Sequence, residues 1–333
     1  MTASQRFAPV DDRLDRVVNV DIGGRGVEHL FAAARERQGG SLVGAAADRL
    51  VGLAPGSTVL LTTGSVSRAW ISQRVGENDG PAGTAIVARA LALGVKAHCV
   101  LLCEEPLVEP HAAILRAAGL SVLPHDEARH ASRDGSLAAV SIEPFPVTDG
   151  EAPEAAQRLL ETFEPALMFS AERVGRASDG VYYSMRGIDY GMGRARVDHA
   201  FDEALRRSIP TVCVGDGGNE IGMGVIADAV RQHVKFGERI CAVTGTDVLV
   251  TAACSNWGCS AIVAAMALRL GNPKLLNTPD LERFLLQRGV EVGLINSVAN
   301  VIDPNVDGID LETHIALVTL LKAIAAPHLY KPS

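Results

Sequence analysis

TVLLTT (58–63), then, after an intervening loop, GENDGPAGTAIVARALAL (76–93) and AHCVLL (97–102) decide how this chain folds. The first and last segments are short, rich in Val and Leu, and alternate little, as strands buried on both faces do. Between them Pro81 suits a first helical position, where its missing N–H would be unpaired anyway, and a helix is predicted over 81–93. Strand, helix, strand is the repeating unit of a parallel sheet with right-handed crossovers.

The same alternation runs along the chain. Further strands are predicted over 121–124, 137–142, 166–170 and 211–214. Further helices are predicted over 27–38, 109–118, 152–163, 225–236, 257–270, 279–288 and 311–325. The expected fold class is α/β: a layered, mostly parallel buried sheet flanked by helices, with the active site at the C-terminal ends of the strands. One domain is expected over 1–333, with lobes 1–130 and 131–333 meeting near the charged, apolar-poor stretch 126–135. A second irregular region, roughly 173–196, is too rich in Gly and Arg to be a simple helix.

Composition narrows the function. With 47% apolar and 21% charged residues the chain reads as a compact soluble globule. Aromatics are only 4%, so the core should be built from small and β-branched side chains. A net charge of −8 offers no basic footprint for nucleic acid or an anionic membrane. A small-molecule or metal-linked role fits better, and homo-oligomerisation stays open. Six cysteines at 99, 103, 213, 241, 254 and 259 form no CxxC pair and no zinc-finger spacing. They read as reduced core residues of a cytoplasmic protein. The start, MTASQRFAPVDDRLDRV, carries charge where a signal peptide needs an apolar run, and no apolar segment is long enough to span a membrane.

Three junctions between strand and helix gather charge. In the first, Asp79 can cap the helix starting at Pro81, because orphan N–H groups and the helix dipole favour an anion there; Glu77 is then left over. The second, SAERVGRASDGVYYSMRG (170–187), sets Glu172, Arg173, Arg176, Asp179 and Arg186 in one irregular segment. The third, VGDGGNEIGMG (214–224), resembles a phosphate loop but has Glu220 and Met223 where a dinucleotide or P-loop motif needs Gly and Lys. No nucleotide cofactor is expected. Asp216, Asn219 and Glu220 instead supply oxygen ligands among Gly217, Gly218 and Gly222, where the backbone can approach closely. If the junctions converge, Glu77, Asp79, Glu172, Asp179, Asp216 and Glu220 share one pocket. So many carboxylates demand a cation or raised pKa values. Hard oxygen donors suit Mg2+, Mn2+ or Ca2+.

At these residues the sequence resembles the D-glutamate cyclase family, in its C-terminal cyclase domain. GENDGPAGT, AERVGRASDGVYYSMRG, VGDGGNEIGMG and SNWGCSA (255–261) follow the family's order, together with DIGGRGVEHL (21–30). The family's first motif reads Glu-Thr-Asp-Gly-Pro, and Asn78 replaces the threonine here; Ala171 stands where a β-branched residue is common. The resemblance implies a stand-alone cyclase domain that converts D-glutamate, or a close analogue, to 5-oxo-D-proline with loss of water. It implies a divalent cation, Mn2+ or Mg2+, held by Glu77, Glu172, Asp216 and Glu220. Asp79 or Asp179, with a raised pKa, would take the amine proton. Arg173, Arg176 or Arg186 would clamp the α-carboxylate, and Gly217, Gly218, Asn219 and Asn256 would line the substrate. The same carboxylates would also serve a metal-dependent hydrolase, such as a phosphatase, and a third reading is a metal- or amino-acid-binding protein.

Other residues read as structural. Asn256 fits an N-cap and Trp257 the core, with pocket roles as the alternative; Tyr182 or Tyr183 can face the pocket. His111, His199, His233 and His314 read as helix-surface positions. DPNVDGID (303–310) fails the EF-hand spacing and reads as a turn with an N-cap.

Overall fold

The computed structural model describes residues 3–299 and 301–329. Nine strands are present among them: β1 (Thr58–Thr62), β2 (Gly76–Glu77), β3 (His98–Cys103), β4 (Ser121–Val122), β5 (Ala139–Pro144), β6 (Leu167–Ala171), β7 (Thr211–Gly215), β8 (Val248–Thr251) and β9 (Leu294–Ile295). Seven of them form one sheet in the order β4-β5-β3-β1-β6-β7-β8, and every pairing is parallel. The expected α/β class and parallel sheet are therefore what the chain adopts. Strands β3, β6, β7 and β8 are buried along their whole length, which explains their unbroken apolar runs. β2 and β9 pair separately, also in parallel.

The order has one reversal. From β1 the chain moves to β3 and then to the edge strand β4, comes back to insert β5 between β4 and β3, and only then crosses to place β6 on the other side of β1. Such a switch point leaves a crevice outside the carboxyl ends of the strands, because the connections on either side run to opposite faces.

The Ser255–Leu270 helix is the centre of the packing. It is apolar on all sides, buried from Ser255 to Leu268, and packs against the helices Pro81–Gly94, Leu42–Val51 and Leu311–Leu329. Small residues permit this crowding: a Cβ at Gly83 would stand 2.8 Å from Cys259 Cβ and 2.9 Å from Asn256 Cα. The Ala- and Gly-rich composition thus shortens the distance between helices.

The structure departs from expectation in several places. The 126–135 stretch is a helix, His125–Asp134, closed by Gly135 in the left-handed conformation. Its alanines suffice, since Ala128 and Ala131 bury against Ala139. The expected 225–236 helix breaks into Met223–Ile226, Ala227–His233 and Gly237–Ile240. Extended backbone at Val234 and a positive φ of 63° at Phe236 interrupt it. Helices Ala3–Val18, Leu42–Val51 and Asp198–Arg206 and the short strand β8 were not expected. Residues 173–196 are irregular, held by single bridges such as Tyr183 to Asp189. No helix among the described residues is long and apolar enough to cross a membrane.

Candidate active site

Four carboxylates meet at the switch point. Asp79, Glu172, Asp216 and Asp307 each bring an oxygen to within 4.8 Å of the others. Glu172 follows β6 directly and Asp216 follows β7, so the parallel register carries both to the same end of the sheet. Glu172 sits at a φ of 62°, a conformation costing a non-glycine residue about 1–3 kcal/mol. Gly80, beside Asp79, has a φ of 93°, and a Cβ there would stand 2.7 Å from Thr63 Oγ1 and 2.9 Å from Glu172 Cβ; only glycine fits. Asp307 occupies the tip of a two-residue turn, Asp307-Gly308, with φ of 53° and 77°. Val306 and Ile309 exchange both backbone hydrogen bonds across it. Positive φ at both central positions is why Asp-Gly is favoured in such turns.

Asp79 is held by the wrong helix, from a sequence viewpoint. It accepts hydrogen bonds from Ser255 N (3.1 Å) and Asn256 N (3.0 Å), capping the Ser255–Leu270 helix. In return Asn256 Oδ1 accepts from Gly80 N (3.2 Å) and Gly83 N (2.7 Å), capping the Pro81–Gly94 helix that Asp79 precedes. The two helix starts cap one another, which satisfies their orphan donors and fixes Asp79 in place. Glu220 acts similarly: its carboxylate accepts from Gly217 N (2.9 Å) and Gly218 N (2.7 Å). The protein's own carboxylates fill the anion-binding positions that its glycine loop and helix starts create.

Arg25 is the cation inside this cluster. Its guanidinium donates to Asp216 (3.0 Å), Asp307 (2.8 Å) and the Ala253 carbonyl (2.5 Å). A glycine-flanked loop presents it, with the Asp21 carboxylate accepting from Arg25 N and Gly26 N. One guanidinium does not balance the group. Burial, then Asp307, raises Asp79 to about 7. Burial raises Glu77 to about 7, although Arg194 opposes this. Burial also holds Glu172 and Asp216 well above the carboxylate range; neighbouring acids add to the effect in both, and Arg25 opposes it at Asp216. An all-oxygen, charge-surplus donor set of this kind can hold a metal ion.

A cavity of about 460 Å3 opens onto the cluster, and its lining includes Arg25, Glu77, Glu172, Asp216 and Asp307 together with the apolar side chains of Trp70, Ile188 and Val298.

The D-glutamate cyclase-like, C-terminal family matches residues 14–322. The chain belongs to this family. It is also 28% identical over 273 residues to the protein named D-glutamate cyclase, mitochondrial, from Homo sapiens, a match covering 80% of this chain. The chain spans 39% of the length of that human protein.

Within this member of the family, the predicted residues separate into distinct groups. Glu77, Glu172, Asp216, Asn219 and Arg186 line the cavity. Asp79 lies in the cluster, and Asn256 supports it from behind. Asp179 does not join them. It is exposed, and Tyr183 and the Val181 N–H donate to it, holding its carboxyl below the usual range; the expected raised pKa is corrected. Arg173 is fully buried, with its fork on Glu104 (2.7 and 3.2 Å) and Nε on Thr62, so its donors are engaged away from the cavity. Arg176 is likewise tied to Asp198 and Asp202. Gly217 and Gly218 point their N–H groups at Glu220, not at open space. Tyr182 and Tyr183 bond Asp198 and Asp179, and Tyr190 lines the cavity instead. His111 and His314 are buried, not on helix surfaces. His314 Nδ1 receives the Trp257 indole N–H at 2.7 Å, and burial lowers its pKa to about 4.

Sequence reasoning missed Arg25, Asp307 and the apolar wall. The glycine-flanked Arg25 and the Asp307-Gly308 pair were both visible, the second being a strong turn signal. Neither lies after a predicted strand, so nothing placed them beside the three junctions.

Proposed function

We propose that this chain is a hydro-lyase that closes D-glutamate, or a close analogue, to 5-oxo-D-proline with loss of water. The observation that carries the reading is the surplus of buried and half-buried carboxylates around Arg25 at the switch point, in a chain of the D-glutamate cyclase-like family. Glu172, Asp216 and Asp307 would hold a divalent cation, Mn2+ or Mg2+, leaving Asp79 beside it for proton transfer, with Glu77 and Glu220 adding negative charge nearby. Bound there, the ion supplies Lewis-acid polarisation of the substrate carboxylate.

The chain's own residues supply the rest. The α-amine of glutamate seats among the acids, drawn by their charge. Arg186, which has no carboxylate partner among the described residues, receives the α-carboxylate at the cavity mouth. As the nitrogen bonds to the side-chain carboxyl carbon it sheds two of the ammonium's three protons, the departing carboxylate oxygen takes up two, one C–O bond breaks and water leaves. Asp79 and Glu77, both near pKa 7, suit an exchange of roles in which one takes the amine proton and the other returns a proton to the departing oxygen. The cross-capped helices hold Asp79 still, and a fixed, folded substrate gains from that positioning.

Strands from 1–130 and 131–333 share one sheet, which supports a single catalytic domain. All six cysteines are free and buried, which suits the reducing cytoplasm.

The test follows D-glutamate, L-glutamate and homologues by NMR, with metal-stripped protein and with added Mn2+ or Mg2+. Metal-dependent formation of 5-oxo-D-proline is expected. Absence of turnover of every glutamate overturns the reading, and phosphate release from small esters by the same protein would move it to a metal-dependent hydrolase.

A further inference from the structure

The apolar part of the cavity's lining has no counterpart in glutamate. Trp70, Ile188 and Val298 line the same cavity as Glu77, Glu172, Asp216 and Asp307, yet they are 65%, 60% and 53% exposed. They are held in place. The Arg68 guanidinium donates to the carbonyls of Ser297 (3.3 Å) and Ala299 (2.7 Å), tying the loop that carries Trp70 to the one that carries Val298. Glutamate offers only methylenes flanked by charges, and these cannot cover three large apolar side chains. The cavity of about 460 Å3 also falls in the roughly 300–1,000 Å3 range of sites for drug-sized ligands.

Charge points the same way. Glu77, Glu172, Asp216 and Asp307 line the cavity with Asp79 beside them, and among the described residues Arg25 is the one guanidinium that bridges into the cluster. Even with a divalent cation held there, these five carboxylates outnumber the positive charges of the ion and Arg25, so a free side-chain carboxylate on the substrate still meets repulsion at the group that must react. The same carboxyl as an amide carries no charge, and its nitrogen substituent can extend past the acids onto the apolar side chains of the same cavity.

We propose, resting on the cyclase reading above, that this site takes D-glutamate whose side-chain carboxyl is an amide of an apolar amine, with the reacting end at the acids and the amine substituent against Trp70, Ile188 and Val298. The substrate's α-amine nitrogen bonds to the amide carbon, and the bond from that carbon to the amide nitrogen breaks. The attacking nitrogen gives up one proton and the departing amine takes one, leaving 5-oxo-D-proline and the free amine. Neither water nor any redox partner is consumed.

The experiment compares D-glutamate, its γ-methylamide and its γ-benzylamide as substrates of the full chain with Mn2+, after subtracting spontaneous cyclisation. The expected result is amine release with kcat/KM for the benzylamide at least about tenfold above the methylamide, a ratio that falls about tenfold in Trp70→Ala. Adding the benzylamide should also shift tryptophan emission to the blue, and Trp70→Ala should abolish that shift. Cyclisation of D-glutamate without amine release from either amide overturns this inference and leaves the cyclase reading intact. An unchanged benzylamide-to-methylamide ratio in Trp70→Ala removes the apolar wall from the argument for this substrate class and overturns it as well. If none of the three is cyclised, both readings fall.

Discussion

Two groups of buried charge lie close together behind the ends of β1 and β6, and they are built on opposite principles. At Glu104 and Arg173 the charges balance: both side chains are fully buried, the fork is bidentate, and the remaining donors and acceptors go to Thr62 and the Ala195 N–H. At Asp79, Glu172, Asp216 and Asp307 the charges do not balance, and among the described residues Arg25 alone bridges two of the four. A buried pair with every partner in place is a structural unit. A buried surplus must hold protons or accept a cation, and both are chemistry. An arginine near acids is thus uninformative until the pairing is counted.

The largest expected effect tests the surplus. Asp79→Asn should lower turnover by about 10²–10⁴-fold, the range for loss of an acid–base group. Its amide oxygen can still accept from Asn256 N, but its NH2 then faces the Ser255 N–H, so urea unfolding should lose about 1–2 kcal/mol. A comparable loss of stability would make Asp79 a cap and nothing more. Glu104→Gln tests the balanced pair. It strands the Arg173 charge in the interior and should cost about 3–5 kcal/mol in urea unfolding, whereas retained stability with a raised KM would return Arg173 to the substrate site.

The pH dependence sharpens the same contrast. Asp79 and Glu77 titrate near 7 in the folded chain and near ordinary carboxylate values when unfolded. The native state therefore binds more protons than the unfolded state between about pH 4 and 7, and linkage makes stability fall as pH rises through that window. Metal-free protein should lose a few kcal/mol between pH 5 and 8 by thermal or urea unfolding. Saturating Mn2+ should restore most of it at pH 8 and little at pH 5; a flat profile would dissolve the surplus. Smallest is Arg186→Ala, expected to raise KM for D-glutamate about tenfold with the melting temperature unchanged.

Legibility followed chain distance. Helices 27–38 and 152–163 were read to the residue, because amphipathic period and caps are local signals. The loop 173–196 was recognised as irregular from its Gly and Arg content. Glu172, just before that loop, and Asp179, inside it, were not separable by sequence: Glu172 enters the cluster because it follows a buried strand, and Asp179 stays outside because it bonds Tyr183 and Val181. His314 looked like a surface residue on a helical period, and its burial depends on Trp257 from another helix.

By itself the sequence determined the α/β class, the parallel sheet and the location of acids at the ends of its strands, since strand burial and helix starts are written in short-range pattern. It also placed Asp79 at a helix start. Only the tertiary structure decided which helix Asp79 caps, that Asn256 answers it, that Glu220 closes the glycine loop, and that Arg25 and Asp307 complete the cluster. Those contacts join segments up to 282 residues apart. They follow from the order in which the strands lie side by side, and strand order is fixed by packing across the whole core.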